Sequence, residues 1–231
     1  DTIATLFETG VEPYFKGTWI YDKWTEPTYP VFRLSFLNLD NFSIDEFKSE
    51  LNSKITDFAN KISVKGYVEK SEPENSIEGL LERLREEKRQ IVFLIDEYDY
   101  QLTSNINNDD LYKQFQHKIK RFYANIKNKW AIKFLGITGV TRLKDVEIFS
   151  IGSDIRDITN ASAYSQMIGF TRDEIKKYYI DYLKLASSYE NNCNVDEVTD
   201  DNLESLLDRL AKNYDGYCFD EFYKKKVFST W

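Results

Sequence analysis

The ten residues from Ile91 to Tyr100, IVFLIDEYDY, constrain the fold of this chain more than any other segment. Five apolar residues, Ile91 to Ile95, run directly into Asp96 and Glu97. A short, unbroken apolar run that ends abruptly in charge is typical of a strand buried on both faces of a parallel sheet. Because ligands of such sheets bind at the carboxyl ends of the strands, the pattern places two adjacent acids where a ligand is expected.

Strands and helices alternate around this run, which indicates an α/β domain with a parallel sheet. The pattern Ser43-x-x-Glu46 is a capping box, and Phe47, Leu51, Ile55 and Phe58 follow it at helical spacing. In chain order we predict a helix end at 2–7, a strand at 31–37, helices at 43–62 and 77–87, a strand at 91–95, a helix at 111–128 and a strand at 130–138.

The last third of the chain has a different organisation. It is loop-rich up to Met167, after which Thr171-x-x-Glu174 predicts a helix through Leu185, and residues 200–212 predict the last helix. The segment 214–220, YDGYCFD, predicts a turn with Gly216 at positive φ over packed aromatic side chains, although contact with a ligand is the alternative. We therefore expect an α/β core at 1–166 and a small helical subdomain at 167–231.

Composition narrows the function classes. The net charge of −8 argues against a broad phosphate-binding surface, so Lys118, Lys120 and Arg121 are interpreted as a solvated helix face, with nucleic-acid contact as the weaker alternative. One histidine, His117, and two cysteines without CxxC spacing nearly exclude a His/Cys metal site and favour a reducing compartment. No apolar stretch approaches the roughly 20 residues that span a bilayer. We expect a cytoplasmic protein without membrane contact and leave secretion into a host cell open.

The acids at the end of the central strand suit nucleotide hydrolysis. In a Walker B segment one acid, here Asp96, holds Mg²⁺, and the next, Glu97, polarises the attacking water. Thr138 ends the following strand, and in related nucleotide hydrolases a polar sensor residue at the end of that strand contacts the γ-phosphate. Arg142 lies just beyond and could offset negative charge in the transition state. The alternatives are a solvated acidic turn that includes Asp99, a hydroxyl that satisfies a strand end, and a surface arginine.

Four segments together resemble the AAA-ATPase-like family of bacterial predicted ATPases, which often carry a PD-(D/E)XK nuclease-like domain near the C-terminus. IVFLIDEYDY is similar to the family's Walker B, and 137–150, ITGVTRLKDVEIFS, to its sensor segment. IGFTRDEI, at 168–175, resembles the opening of its helical lid, and YDGYCFD its "YDGYRF" motif. The resemblance implies a P-loop NTPase core of the ASCE/AAA type followed by a lid, and Mg²⁺ and ATP as ligands of the intact protein.

The chain departs from this family in one important respect, because the phosphate-loop motif GxxxxGK[ST] is not found in the 231 residues. The resemblance implies that the chain begins inside the helix after that loop, and that the phosphate-loop strand and the nuclease-like domain are missing. The chain alone is then expected to bind neither ATP nor Mg²⁺ well. We also expect another segment, a partner or a second copy of the chain to cover the free edge of the 130–138 strand, and nucleic acid to be contacted only through the nuclease-like domain.

Three functions from different classes remain open at this point. The first is the core of an ATPase that drives an attached effector or nuclease-like domain. The second is a degenerate ATPase fold that acts as a protein-interaction module without turnover, although such a module has no need of a base such as Glu97. The third is a metal-dependent nuclease that uses Asp96, Glu97 and Asp99, although no lysine follows these acids in an ExK pattern.

Overall fold

A parallel sheet of three strands organises the first part of the computed structural model, which describes residues 1–127, 129–141 and 155–228. The strands are β1 (Val31–Ser35), β2 (Ile91–Asp96) and β3 (Ile132–Ile137), in the spatial order β1-β2-β3. The register pairs Ser35 with Asp96, and Ile95 with Ile137. The carboxyl ends of the three strands therefore lie along one edge of the sheet, here called the rim. The predicted α/β fold with a parallel sheet is confirmed.

Helices cover both faces of this sheet. The first five helices are α1 (Thr2–Thr9), α2 (Ile44–Lys61), α3 (Pro73–Glu86), α4 (Tyr100–Ser104) and α5 (Asp109–Ile126). Ala4 and Phe7 of α1 pack with Val31 and Val92 on one face. The opposite face packs against α2, α3 and α5, because side chains alternate along a strand. Among the helices in the described ranges, none combines the length and apolarity that crossing a membrane requires.

The helix signals of the sequence operate largely as predicted. Ser43 Oγ accepts a hydrogen bond from the Glu46 N–H at 3.3 Å, and the predicted apolar stripe of α2 is buried. Gly10 follows α1 at φ 74° and donates its N–H to Leu6 O, so α1 ends two residues beyond the predicted 2–7. By contrast, α3 begins four residues earlier than the predicted Ile77, because Pro73 occupies the first helical position, where its missing N–H has no cost.

The two flanking strands differ from β2 in exposure. The apolar side chains of β2 are almost all buried, whereas β3 is partly exposed along its length and Phe134 is 40% exposed. Within the described ranges β3 pairs with β2 and with no second strand, so it is an edge strand of the sheet. The expectation that another segment or chain covers this edge stays a prediction.

A second compact unit spans Arg156 to Trp231, and the first spans Asp1 to Ile155. The division falls at 155/156, whereas the sequence placed the boundary between the core and the helical subdomain at 166/167. The elements of the second unit are α6 (Arg172–Tyr178), α7 (Ile180–Asn191), α8 (Asp200–Tyr214), β4 (Asp215–Tyr217) and β5 (Val227–Phe228). Four leucines of α7 and α8 form its buried centre: Leu183, Leu203, Leu206 and Leu207.

The predicted helix from Thr171 to Leu185 is in fact two helices. The capping box is present, since Thr171 Oγ1 accepts from the Glu174 N–H at 3.2 Å and Glu174 accepts from the Thr171 N–H at 2.8 Å. The helix breaks at Tyr179, whose backbone leaves helical geometry at φ −121° and ψ 20°. The Tyr179 ring packs edge-to-face on Phe170 with the ring centroids 5.6 Å apart. Helix propensities describe local preferences and cannot predict a tertiary contact of this kind.

The YDGYCFD segment was only partly predicted. Gly216 has the expected positive φ, at 122°, but the segment forms β4, which pairs antiparallel with β5. Tyr214 and Tyr217 are about half exposed, so the expected aromatic packing beneath a turn is wrong. The turn lies further along the chain, because Asp220 accepts hydrogen bonds from Ser162 Oγ at 2.5 Å and from the backbone N–H groups of 222, 224 and 225 at 3.1 Å each.

These hydrogen bonds predict a pH dependence of stability. The Ser162 hydroxyl, and then the backbone N–H groups, hold the pKa of Asp220 below its ordinary value of 3.8. A lowered folded-state pKa means that the stabilisation is present above the unfolded-state pKa and is lost as the pH falls through the folded-state value. Asp220→Asn should therefore be less stable than wild type at pH 7, and the difference should shrink below about pH 4.

Thermal unfolding followed between pH 2.5 and pH 7 measures this difference. The control is Asp181→Asn, since Asp181 is exposed on α7 and the substitution should change the profile less. Equal stability of Asp220→Asn and wild type at pH 7 would contradict the assigned role.

Candidate functional site

The rim brings Asp96 and Thr138 into direct contact. Asp96 is the last residue of β2, and Thr138 follows the last residue of β3. The Thr138 N–H donates to Ile95 O at 2.9 Å, which extends the β2–β3 ladder by one residue. The Thr138 hydroxyl donates to Asp96 Oδ1. Two residues that the sequence nominated separately therefore share one hydrogen bond.

Glu97 lies at the same point in an uncommon backbone conformation. Its φ of 51° is in the left-handed region, which costs a non-glycine residue about 1–3 kcal/mol. The Glu97 N–H donates to Asp96 Oδ1 at 3.0 Å, and the side chain is partly buried. Within the described ranges its buried Oε2 atom has no hydrogen-bond partner. A buried acceptor of this kind can receive a hydrogen bond from a water or a ligand at the rim.

The residues after Glu97 fix the loop that follows β3. Asp99, 1% exposed, accepts hydrogen bonds from the Val140 N–H at 3.2 Å and from the Thr141 N–H at 2.6 Å and hydroxyl at 2.5 Å. Tyr98 donates its N–H to Thr138 O at 3.1 Å and its hydroxyl to Thr141 O at 2.7 Å. Both polar side chains that follow the acidic pair thus point at the neighbouring strand end.

The same segment also fixes the loop that follows β1. Gln101, fully buried, donates to Phe36 O at 2.7 Å and to Leu39 O at 3.1 Å. Asn105 donates to Asn41 O at 2.7 Å. We call residues 98–105 the rim segment, because it hydrogen-bonds to the loops on both sides of β2 and so holds the three strand ends in one arrangement.

A buried phenol lies close to the rim segment. The pKa of Tyr123 is raised well above 10.0, chiefly by burial and then by the charges of Tyr98 and Asp99. Tyr123 therefore stays protonated at any physiological pH, and it belongs to the packing of the core rather than to proton transfer.

The basic stretch of α5 is engaged in ion pairs. Lys118 pairs with Glu72 and lies 3.6 Å from Glu74, and Arg121 Nε lies 3.0 Å from the buried Glu74. The side chains of Lys118 and Lys48 lower the pKa of Glu72. His117 and Lys120 are exposed. These contacts support the interpretation of this stretch as an ion-paired and solvated helix face.

Of the predicted site residues, Arg142 lies outside the described residues. Tyr98, Gln101 and Asn105 were not predicted as site residues, and Asp99 was considered only as part of an acidic turn or as one of the acids of a metal-dependent nuclease. The available signal was the presence of three hydrogen-bonding side chains, at 99, 101 and 105, directly after a fully apolar strand, where buried polar groups need partners.

Asp96 and Glu97 can provide only part of a metal site. In the ranges 1–127, 129–141 and 155–228, no three side chains of His, Cys, Asp or Glu converge as a metal-binding group would. Mg²⁺ is commonly bound through one or two carboxylates together with water and substrate phosphates. The exposed Asp96 carboxylate at a strand end has the chemistry for such a shared site.

A parallel sheet with acids and a hydroxyl at its carboxyl edge is the arrangement of a P-loop-like α/β core, which binds ligands at that edge. The family model for AAA-ATPase-like proteins, described as a predicted AAA-ATPase, matches residues 1–149, well over half of the chain. The chain belongs to this family.

A more distant relative is an uncharacterized protein in the vnfD 5′ region of Azotobacter chroococcum mcd 1. It is 27% identical over 203 residues, and the match covers 79% of this chain but 38% of the relative. The chain thus spans well under half of the relative's length. No solved structure matches the chain.

The close packing around Gly139 predicts that an added methyl group lowers the free energy of unfolding there but not at a glycine with open space around it. A Cβ at Gly139 would lie 2.3 Å from Tyr98 Cδ1 and 2.5 Å from Asp99 Oδ1, and both neighbours are buried. Gly139→Ala should therefore destabilise the first unit by about 1–3 kcal/mol, because the rim segment must shift.

Chemical denaturation gives this free energy of unfolding. The matched control is Gly79→Ala in α3, where a Cβ meets nothing within 4 Å and the helix should gain up to about 1 kcal/mol. Effects of the same sign for the two alanines would refute the assigned packing.

Proposed function

We propose that this chain is the core of a P-loop-type ATPase that hydrolyses Mg-ATP in the intact protein. The observation that carries the proposal is the contact of the Thr138 hydroxyl with Asp96 at the rim, directly before Glu97, whose buried Oε2 has no hydrogen-bond partner within the described ranges. Membership of a family described as a predicted AAA-ATPase supports the same activity.

The three residues have different roles in this proposal. Asp96 holds Mg²⁺, directly or through water, and the ion when bound neutralises charge on the phosphate oxygens. Glu97, the second acid of the pair, accepts a hydrogen bond from the attacking water and orients it. Thr138 is the sensor that reports on the γ-phosphate, and Arg142 offsets charge that develops in the transition state.

The resemblance to AAA-ATPase-like proteins implies a place for the phosphate loop. It implies that a phosphate-loop strand pairs with β3, which within the described ranges pairs with β2 and with no second strand. We propose that another segment of the protein, or a partner, supplies this strand and its loop. Such a loop contributes backbone N–H groups and a lysine to phosphate binding, and without it the two acids would repel ATP.

Hydrolysis in the intact protein would drive a conformational change in an attached domain. The match to well under half of a longer relative leaves room for such a part. We propose that the first unit, with the family match, is the ATPase core, that the helical second unit acts as its lid, and that an effector or nuclease-like domain is attached.

A degenerate ATPase fold that serves as an interaction module is the second candidate. The observation that favours it is β3, which within the described ranges pairs on one side only and exposes 40% of Phe134, a surface that another chain could cover. A nuclease that uses Asp96, Glu97 and Asp99 receives less support, because the Asp99 carboxylate is 1% exposed and bonded to the loop after β3.

Steady-state turnover of the intact protein tests the proposed activity. Glu97→Gln should retain ATP binding and reduce kcat by about 100-fold or more, because the amide cannot accept a proton from water. Asp57→Asn on the exposed side of α2 is the control and should leave turnover unchanged. Failure of the wild-type intact protein to bind ATP would favour the interaction module instead.

The 231-residue chain on its own should bind ATP weakly, with no saturation at micromolar concentrations, since the phosphate-loop motif is absent. A fluorescent-ATP titration of the chain measures this affinity, with the intact protein as the positive reference. Micromolar affinity of the isolated chain would contradict the proposed division of the binding site.

A further inference from the structure

The Asp99 carboxylate has no part in the proposed chemistry, yet it is buried and fully engaged at the rim. Oδ1 accepts from the Val140 N–H, and Oδ2 accepts from both the N–H and the hydroxyl of Thr141. At 1% exposure it cannot contact a metal ion or a substrate directly. All three donors belong to residues that lie two and three positions after Thr138.

The Thr138 backbone is held by hydrogen bonds from two directions, one to β2 and one from Tyr98. On the strand side its N–H bonds to Ile95 O at 2.9 Å. On the loop side Tyr98 bonds to Thr138 O, and Gly139 leaves no room for displacement, because even a Cβ there would clash with Tyr98 and Asp99. Within the described ranges β3 pairs with β2 alone, and these loop contacts add to the hydrogen bond from β2 in holding the residue that follows β3.

We infer that Asp99 is a positioning residue that sets the location of the Thr138 hydroxyl relative to Asp96 and the phosphate. The inference rests on the proposed ATPase function and adds a residue to it. Asp99 acts through the Val140–Thr141 backbone, which its two carboxylate oxygens hold, and Thr138 is two residues away on the same short connection. Misplacement of a reacting group by about 1 Å can reduce a rate by about 100-fold.

The expected kinetic signature is a change in kcat rather than in KM. Most ground-state affinity for ATP would come from the phosphate loop, whereas the Asp99 carboxylate bonds to Val140 and Thr141 after β3. The Thr138 contact matters as charge develops on the transferred phosphoryl group, and interactions made only in the transition state change kcat. Loss of the Asp99 contacts should therefore slow turnover and leave KM nearly constant.

The test uses the intact protein and the substitution Asp99→Asn, which keeps the size but turns an amide NH₂ towards N–H donors. We expect kcat to fall by about 10- to 100-fold and KM to change less than about twofold. Thr141→Val removes only the hydroxyl donor to Asp99 and should lower kcat less than Asp99→Asn does. Thr141→Ser keeps a hydroxyl at this position and should have a kcat near that of wild type. Asp57→Asn is again the control for an exposed aspartate.

A double-mutant cycle with Thr138→Ala separates positioning from general destabilisation. If Asp99 acts through Thr138, the double variant should turn over no more slowly than Thr138→Ala alone. All assays are run well below the melting temperature of each variant. If Asp99→Asn does not fold, Thr141→Val, which removes the hydroxyl that bonds to Asp99 Oδ2, replaces it in the same cycle.

The outcomes are distinguishable. If Glu97→Gln abolishes turnover but Asp99→Asn keeps the wild-type kcat, or if its effect adds fully to that of Thr138→Ala, the positioning role is refuted and the ATPase proposal stands. If wild type and Glu97→Gln turn over equally, the proposed function itself fails, and the role of Asp99 in it fails as well.

Discussion

The hydrogen bonds that residues 98–105 make to their neighbours hold the carboxyl edge of the sheet together. Parallel strands end at one edge, but the loops that follow carry backbone groups that need partners once they are buried. Asp99 supplies acceptors to the loop after β3, and Gln101 and Asn105 supply donors to the loop after β1. The central strand thus organises both neighbours through the eight residues that follow its acidic pair.

This arrangement also explains how Glu97 is kept in a strained conformation. A residue at φ 51° relaxes unless its surroundings fix it. Here Asp96 accepts the Glu97 N–H on one side, and Tyr98 is bonded to the β3 end on the other. A neutral hydrogen bond contributes about 0.5–1.5 kcal/mol and one to a charged group about 1.5–3 kcal/mol, so several together can offset the strain.

Local signals in the sequence predicted local structure well. The apolar run that ends in Asp96 predicted β2, and the Ser43 cap with its stripe of apolar residues predicted α2, because both depend on neighbours within a turn or a strand. Non-local effects were not visible. The Tyr179 ring at the helix break packs against Phe170, and β4 pairs with Val227 and Phe228, which lie ten or more residues away in the sequence.

The site shows the same division. Two acids after a buried strand and a threonine after the next strand could be nominated from position alone. The role of Asp99 could not, because its partners Val140 and Thr141 are 41 and 42 residues away in the sequence and meet it only when β2 and β3 pair. The pairing of Lys118 and Arg121 with acids of α3 and the preceding loop was hidden for the same reason.

The most direct measurement is a crystal structure of the intact protein with Mg²⁺ and a non-hydrolysable ATP analogue. We expect the metal beside Asp96, with the Glu97 carboxylate and the Thr138 hydroxyl facing the terminal phosphate. A triphosphate bound elsewhere, with Asp96 and Thr138 remote from it, would contradict the proposed ATPase site.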